Sequence, residues 1–200
     1  MSPDRKGFQT VTRSRRFIRM LRKTFRAKPA KRRKENEVAP VRGCVLRCDL
    51  GLLLDHTGVY IGRGRIVSLN RHGQVRIETP VSFFPPGTNP EKSKIYTACL
   101  KGTDIVLASS VVAGRAKKKN NARTEYNVLF NNCHRFTCGC LTGDFENDVV
   151  SFAMLEEVLT RNIRSLIPKK AWWRRLWDFI LRRKRPEPAL KYEWRPVKFG

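Results

Sequence analysis

The stretch that decides the reading of this chain is Asp55-His56-Thr57-Gly58-Val59-Tyr60-Ile61-Gly62. From His56 to Ile61 it alternates with the two-residue period of a strand. Gly62-Arg63-Gly64 then supplies a turn, and Arg65-Ile66-Val67-Ser68-Leu69 reads as the returning strand. A histidine at the head of a rigid strand is a candidate general base, because its proton affinity lies near neutrality.

The partner motif is Asn131-Asn132-Cys133-His134-Arg135-Phe136. Asn is a strong helix cap, so Asn132 is expected to close the free amides of a helix beginning at Cys133. The thiol then sits at the positive end of the helix dipole, where a lowered pKa is expected. Phe136, Thr137 and Cys140 follow at helical spacing and should share a buried face with Cys133, and Gly143 supplies a stop. An isolated cysteine is more often an inert core residue; the capping context and an upstream histidine argue otherwise here. Of the other histidines, His134 is the poorer partner because adjacent helical side chains diverge, and His72 is the reserve.

Between the motifs, further strands are expected at Cys44–Cys48, Gln74–Glu78 and Ile95–Leu100, with a Pro/Gly loop at 85–90. A helix preceded by Asp104 is expected through Val111 to Ala116, another is expected from Phe152 to Ile163, and the run Lys117 to Lys119 reads as a solvated loop. The pattern is one α+β domain, with an antiparallel sheet packed on helices. No repeat, phosphate loop or carboxylate pair is visible.

The two motifs, together with Tyr126-Asn127-Val128-Leu129-Phe130 before the second, resemble the lecithin:retinol acyltransferase-like group. That group is the circularly permuted branch of the NlpC/P60 papain-like superfamily, in which the histidine precedes the cysteine. The resemblance spans roughly residues 43 to 145. It implies Cys133 as nucleophile and His56 as base. In lipid-acting members a second polar residue, usually histidine, follows by about one hairpin; the corresponding position here is Ser68, with Asn70 on the same strand face as the alternative. Those members also read Asn-Cys-Glu-His-Phe where this chain has Asn-Cys-His-Arg-Phe. The implied chemistry is cysteine-dependent acyl hydrolysis or transfer through a thioester, on a lipid ester or on an amide. The contrasting expectation is a catalytically idle binding domain.

Six cysteines also raise the question of metal. Cys44-x-x-x-Cys48 and Cys138-x-Cys140 lack paired knuckles and histidines at ligand spacing, so neither a metal nor another cofactor is expected. With no secretory leader in the sequence, reduced thiols and a cytoplasmic setting are expected.

Charge divides the chain. The total of +25 separates into +12 over residues 1–42, +3 over 43–160 and +10 over 161–200. The expected organisation is a basic extension (1–42), a catalytic domain (43–165) and a basic Trp-rich extension (166–200). Phe17, Ile18, Leu21 and Phe25 recur at helical spacing among basic residues, as do Trp172, Trp173, Leu176, Trp177, Ile180 and Leu181. Neither apolar run approaches the roughly 20 residues of a spanning helix. Such segments suit peripheral binding to an anionic membrane surface. Solvated or core-capping arms come next, and nucleic acid third.

Overall fold

The computed structural model describes residues 36–48, 55–89, 91–123, 132–169 and 190–200. Six strands form one sheet: β1 (Val45–Cys48), β2 (His56–Gly62), β3 (Arg65–Leu69), β4 (Val75–Glu78), β5 (Ile95–Leu100) and β6 (Tyr192–Pro196). Their spatial order is β4-β3-β2-β1-β5-β6, and every neighbouring pair is antiparallel. Three helices complete the α+β architecture: α1 (Ser110–Lys118), α2 (Cys133–Thr142) and α3 (Phe152–Leu166).

The β2–β3 hairpin turns where the glycines stand. Arg63 and Gly64 both have positive φ, 54° and 64°, the pair of left-handed residues that a type I′ turn requires. Strand alternation then divides the side chains between two faces. Val45, Val59, Val67 and Leu69 point to the helices and join one core with Val112, Phe136 and Leu159. Leu46, Cys48 and Ile66 point the other way and pack with Phe83 and Cys99.

Helix α3 shows why the helical layer stays on. Ser151 caps it by accepting the Met154 amide at 3.3 Å, and Leu155, Leu159 and Ile163 form a fully buried stripe at four-residue spacing. Each such side chain contributes about 2 kcal/mol on burial. Lys117 and Lys118, expected in a loop, form the last turn of α1 instead. They remain exposed, and positive charge there suits the carbonyl end of the helix.

The largest departure from expectation is β6. Residues 192–196, assigned to a terminal extension, pair along β5 from Tyr96↔Pro196 to Leu100↔Tyr192. Val197 also bridges Val38, so described residues on either side of the 43–165 segment belong to the folded unit. Arg195 is buried rather than part of a free basic tail. Its guanidinium donates to the Asn36 carbonyl at 2.6 Å and 3.0 Å, to the Thr103 carbonyl at 3.3 Å and to Asp104 Oδ1 at 3.2 Å. The two amphipathic segments around Phe17 and Trp172 lie outside the described residues. Among the described residues, no helix is long and apolar enough to cross a membrane.

Candidate active site

Cys133 is the first residue of α2, and the capping expected from the sequence is present. Asn132 Oδ1 accepts the amides of His134 (2.9 Å) and Arg135 (3.2 Å), while its Nδ2 donates to the Val150 carbonyl at 2.7 Å. Gly143 ends the helix in the left-handed conformation, φ 97°, with its amide on the Gly139 carbonyl. Phe136, Thr137 and Cys140 are buried as anticipated. Of the first-turn amides, Asn132 takes those of His134 and Arg135, and the Phe136 amide bonds the Asn132 carbonyl at 3.1 Å. The Cys133 N–H therefore becomes the helix-end candidate for stabilising an oxyanion. The Asn132 side chain is committed to its cap.

The electrostatics of the thiol differ from the expectation. Its pKa is raised rather than lowered, because desolvation outweighs the hydrogen bonds from Thr57 and the helix start. His56 is held down to about 4, first by burial and then by the nearby His134, which is also lowered to about 4 by burial. At neutral pH the site therefore rests as a neutral thiol beside neutral imidazoles.

Cys133 Sγ lies 3.9 Å from the Asp55 carbonyl oxygen and 4.0 Å from His134 Nδ1. His134 is thus nearer the thiol than helix geometry alone suggested. Its ring folds back toward β2, where Nδ1 is also 3.3 Å from Thr57 Oγ1, and Thr57 in turn meets Thr137 Oγ1 at 3.1 Å. Asp55 is anchored by Arg47, whose Nε is 2.9 Å from Oδ1 and whose guanidinium lies over Phe152, 4.6 Å from the ring centroid. A cation above an aromatic face, paired to a carboxylate, fixes the entry to β2.

His56 opens onto a cleft of about 420 Å³ that Cys133 also lines, with Phe83, Phe84, Pro85, Pro86 and Leu69 as apolar wall. The His56 ring rests on Phe83 at 4.8 Å between centroids. No hydrogen bond joins His56 to Cys133. Gly58 lets Phe83 come this close: a Cβ there would meet Phe83 Cε2 and the Val67 carbonyl oxygen, both at 2.9 Å.

The other sequence candidates fare differently. Ser68 is fully buried, and its hydroxyl donates to Glu78 Oε2 at 2.6 Å rather than bonding His56. Asn70 lines the cleft, but its Oδ1 accepts the His72 and Gln74 amides at 2.9 Å and 3.0 Å and so closes the β3–β4 turn. His72 is an exposed residue of that turn. Sequence reading missed Glu78, the last residue of β4, which lines the cleft beside His56. Its pKa is raised, burial outweighing the Ser68 hydrogen bond and Arg76.

The remaining cysteines are core residues. Burial pushes Cys44 up to about 11 and Cys48, Cys99 and Cys140 up to about 12. Among the described residues, no three His, Cys, Asp or Glu side chains gather as a metal site. No protein-family model and no curated protein matches the chain.

Proposed function

We propose that the protein is a cysteine-dependent acyl hydrolase or acyltransferase of the permuted NlpC/P60 kind, with Cys133 as nucleophile and His56 as base. The observation that carries this reading is that His56 and Cys133 open onto one cleft, which none of the other five cysteines lines. Chain order supports the permuted arrangement, since the histidine strand precedes the capped cysteine helix packed beside it.

In this reading His56 takes the Sγ proton as the sulfur attacks the acyl carbonyl, with the Cys133 N–H facing the developing oxyanion. The imidazolium returns the proton to the departing alcohol or amine, leaving a thioester. Water or another acceptor then attacks the thioester and gives its proton to His56, and the departing sulfur takes that proton back, restoring both the thiol and the neutral base. The apolar wall of Phe83, Phe84, Pro85 and Pro86 suits an acyl chain. A lipid ester at an anionic membrane surface is the favoured substrate, with the protein cytoplasmic and peripheral. An amide substrate uses the same machinery, and nucleic acid is the less favoured partner for the basic ends.

A second reading rests on the raised thiol pKa and the missing Cys133–His56 hydrogen bond. These features also suit an idle domain that binds an acyl group without cleaving it. Ester- and amide-reactive acyl probes separate the two. Labelling mapped to Cys133, and lost in Cys133→Ala, supports the enzyme; binding without a covalent adduct at Cys133 supports the idle domain. Preference between the probes assigns ester or amide chemistry.

A further inference from the structure

A hydroxyl carries one proton, and the proton of Ser68 is given to Glu78. Toward any other neighbour Ser68 is an acceptor alone. In the β2–β3 register Gly58 faces Ser68, so His56, two residues earlier on the same face, is its diagonal neighbour. Diagonal pairs lie roughly 7–8 Å apart, within reach of an imidazole. Ile66 faces Glu78 in the β3–β4 register, which puts the carboxylate on that same face. His56, Glu78 and Cys133 line one cleft, while the Asn70 oxygen is occupied by its turn.

We propose that Glu78 is a positioning residue of the site, acting on His56 through Ser68. This rests on the assignment of Cys133 and His56 made above. When His56 takes the thiol proton, the imidazolium N–H turns to the Ser68 oxygen, whose own O–H stays donated to the Glu78 carboxylate. Ser68 thus faces His56 with the right polarity, and Glu78 supplies the negative charge that a serine lacks. The proton from sulfur remains on His56 until the leaving group takes it, and Glu78 stays ionised throughout.

The charged and titratable groups facing Glu78 are Arg76 on its own strand, Arg71 and His72 from the β3–β4 turn, and Asp55, His56 and Cys133 across the cleft. Burial makes Glu78 hold its proton more tightly than an ordinary carboxylate and holds His56 down to about 4, so Glu78 is the first of the two to take a proton as pH falls. As pH falls, kcat/KM should drop first as Glu78 is neutralised. It should drop again near pH 4 as the base is lost.

The test is hydrolysis of p-nitrophenyl butyrate by the full chain, followed from pH 8 to pH 4. Glu78→Gln, nearly isosteric, should lower kcat on the order of 10-fold with KM within about twofold, and should erase the upper step alone. Ser68→Ala should cause a similar loss, and the double variant should be no slower than either single one. Losses that multiply, an unchanged kcat, or an upper step surviving in Glu78→Gln overturn the proposal. Cys133→Ala is the control for the assignment beneath it. Turnover retained there overturns the site and this inference together, whereas turnover lost there but unchanged in Glu78→Gln overturns this inference alone.

Discussion

Strand β2 presents adjacent residues to two very different surroundings. On the helix side, Thr57 is fully buried and meets both His134 and Thr137, so the polar groups there are engaged with one another. On the cleft side, the His56 ring rests against Phe83 and makes no hydrogen bond to the described residues. A satisfied buried network resists change, whereas an imidazole with free nitrogens at the edge of a cleft can exchange a proton with a bound molecule. On the proposed reading, the helix side holds Cys133 in place and the cleft side does the chemistry.

The sharpest way to break this division is to compare the two imidazoles. His56→Gln should slow acylation of Cys133 by about 10²- to 10⁴-fold, the range for a positioned base. His134→Gln should slow it far less, since its ring is placed against Thr57 and Phe152. Rates of probe labelling, read by mass spectrometry, decide the matter. If His134→Gln is the slower variant, the base belongs to the helix side and the 4.0 Å approach to Sγ is its signature.

Acid stability tests what the two faces share. Both rings stay neutral in the fold down to about pH 4, while an unfolded histidine takes its proton near pH 6.5. Between these values the unfolded chain binds more protons, so stability should fall as pH drops from 6.5 to 4 and level off below. The loss is up to roughly 3 kcal/mol per ring. Glu78 acts in the opposite sense, because the fold holds its proton more tightly. Urea midpoints at several pH values should therefore decline toward pH 4, and the decline should shrink in the His56→Gln/His134→Gln double variant. An equal decline in both proteins would place the acid-sensitive groups elsewhere.

Gly58→Ala probes the cleft face alone. The added methyl meets the Val67 carbonyl, which the hairpin fixes, and the edge of Phe83, which must therefore move off the His56 ring. Overpacking of this kind costs about 1–3 kcal/mol. Thermal melting should register the loss, and labelling of Cys133 should slow with it. Unchanged labelling would show that the aromatic contact does not position the base.

What could be read from the sequence was local. The β2–β3 hairpin follows from alternation around Gly62-Arg63-Gly64, and the cap at Asn132 from the preference of Asn for that position. The identity of β6 was hidden because Lys191, Glu193 and Arg195 made a strand look like a charged tail, and its pairing with β5 spans nearly a hundred residues. Glu78 was hidden for a related reason. A glutamate at a strand end reads as solvated, and only the β3–β4 register sets it against Ser68. The raised thiol pKa was equally out of reach, since capping and dipole are sequence-local whereas desolvation depends on everything packed around Cys133.

The smallest effect, and the cleanest check on the helix side, is expected from Thr57→Val. The substitution keeps the shape of the side chain and removes the hydroxyl that meets His134 Nδ1 and Thr137 Oγ1. A buried hydrogen bond of this type contributes about 1 kcal/mol net, so the urea midpoint should fall slightly. Cys133 labelling should slow only modestly, because the hydroxyl is one of several hydrogen bonds that favour the thiolate, while His56, Phe83 and the cleft wall lie on the other face of β2. A labelling loss as large as that of His56→Gln would mean that the thiol is activated through Thr57 and His134, and the two faces would then act as one site.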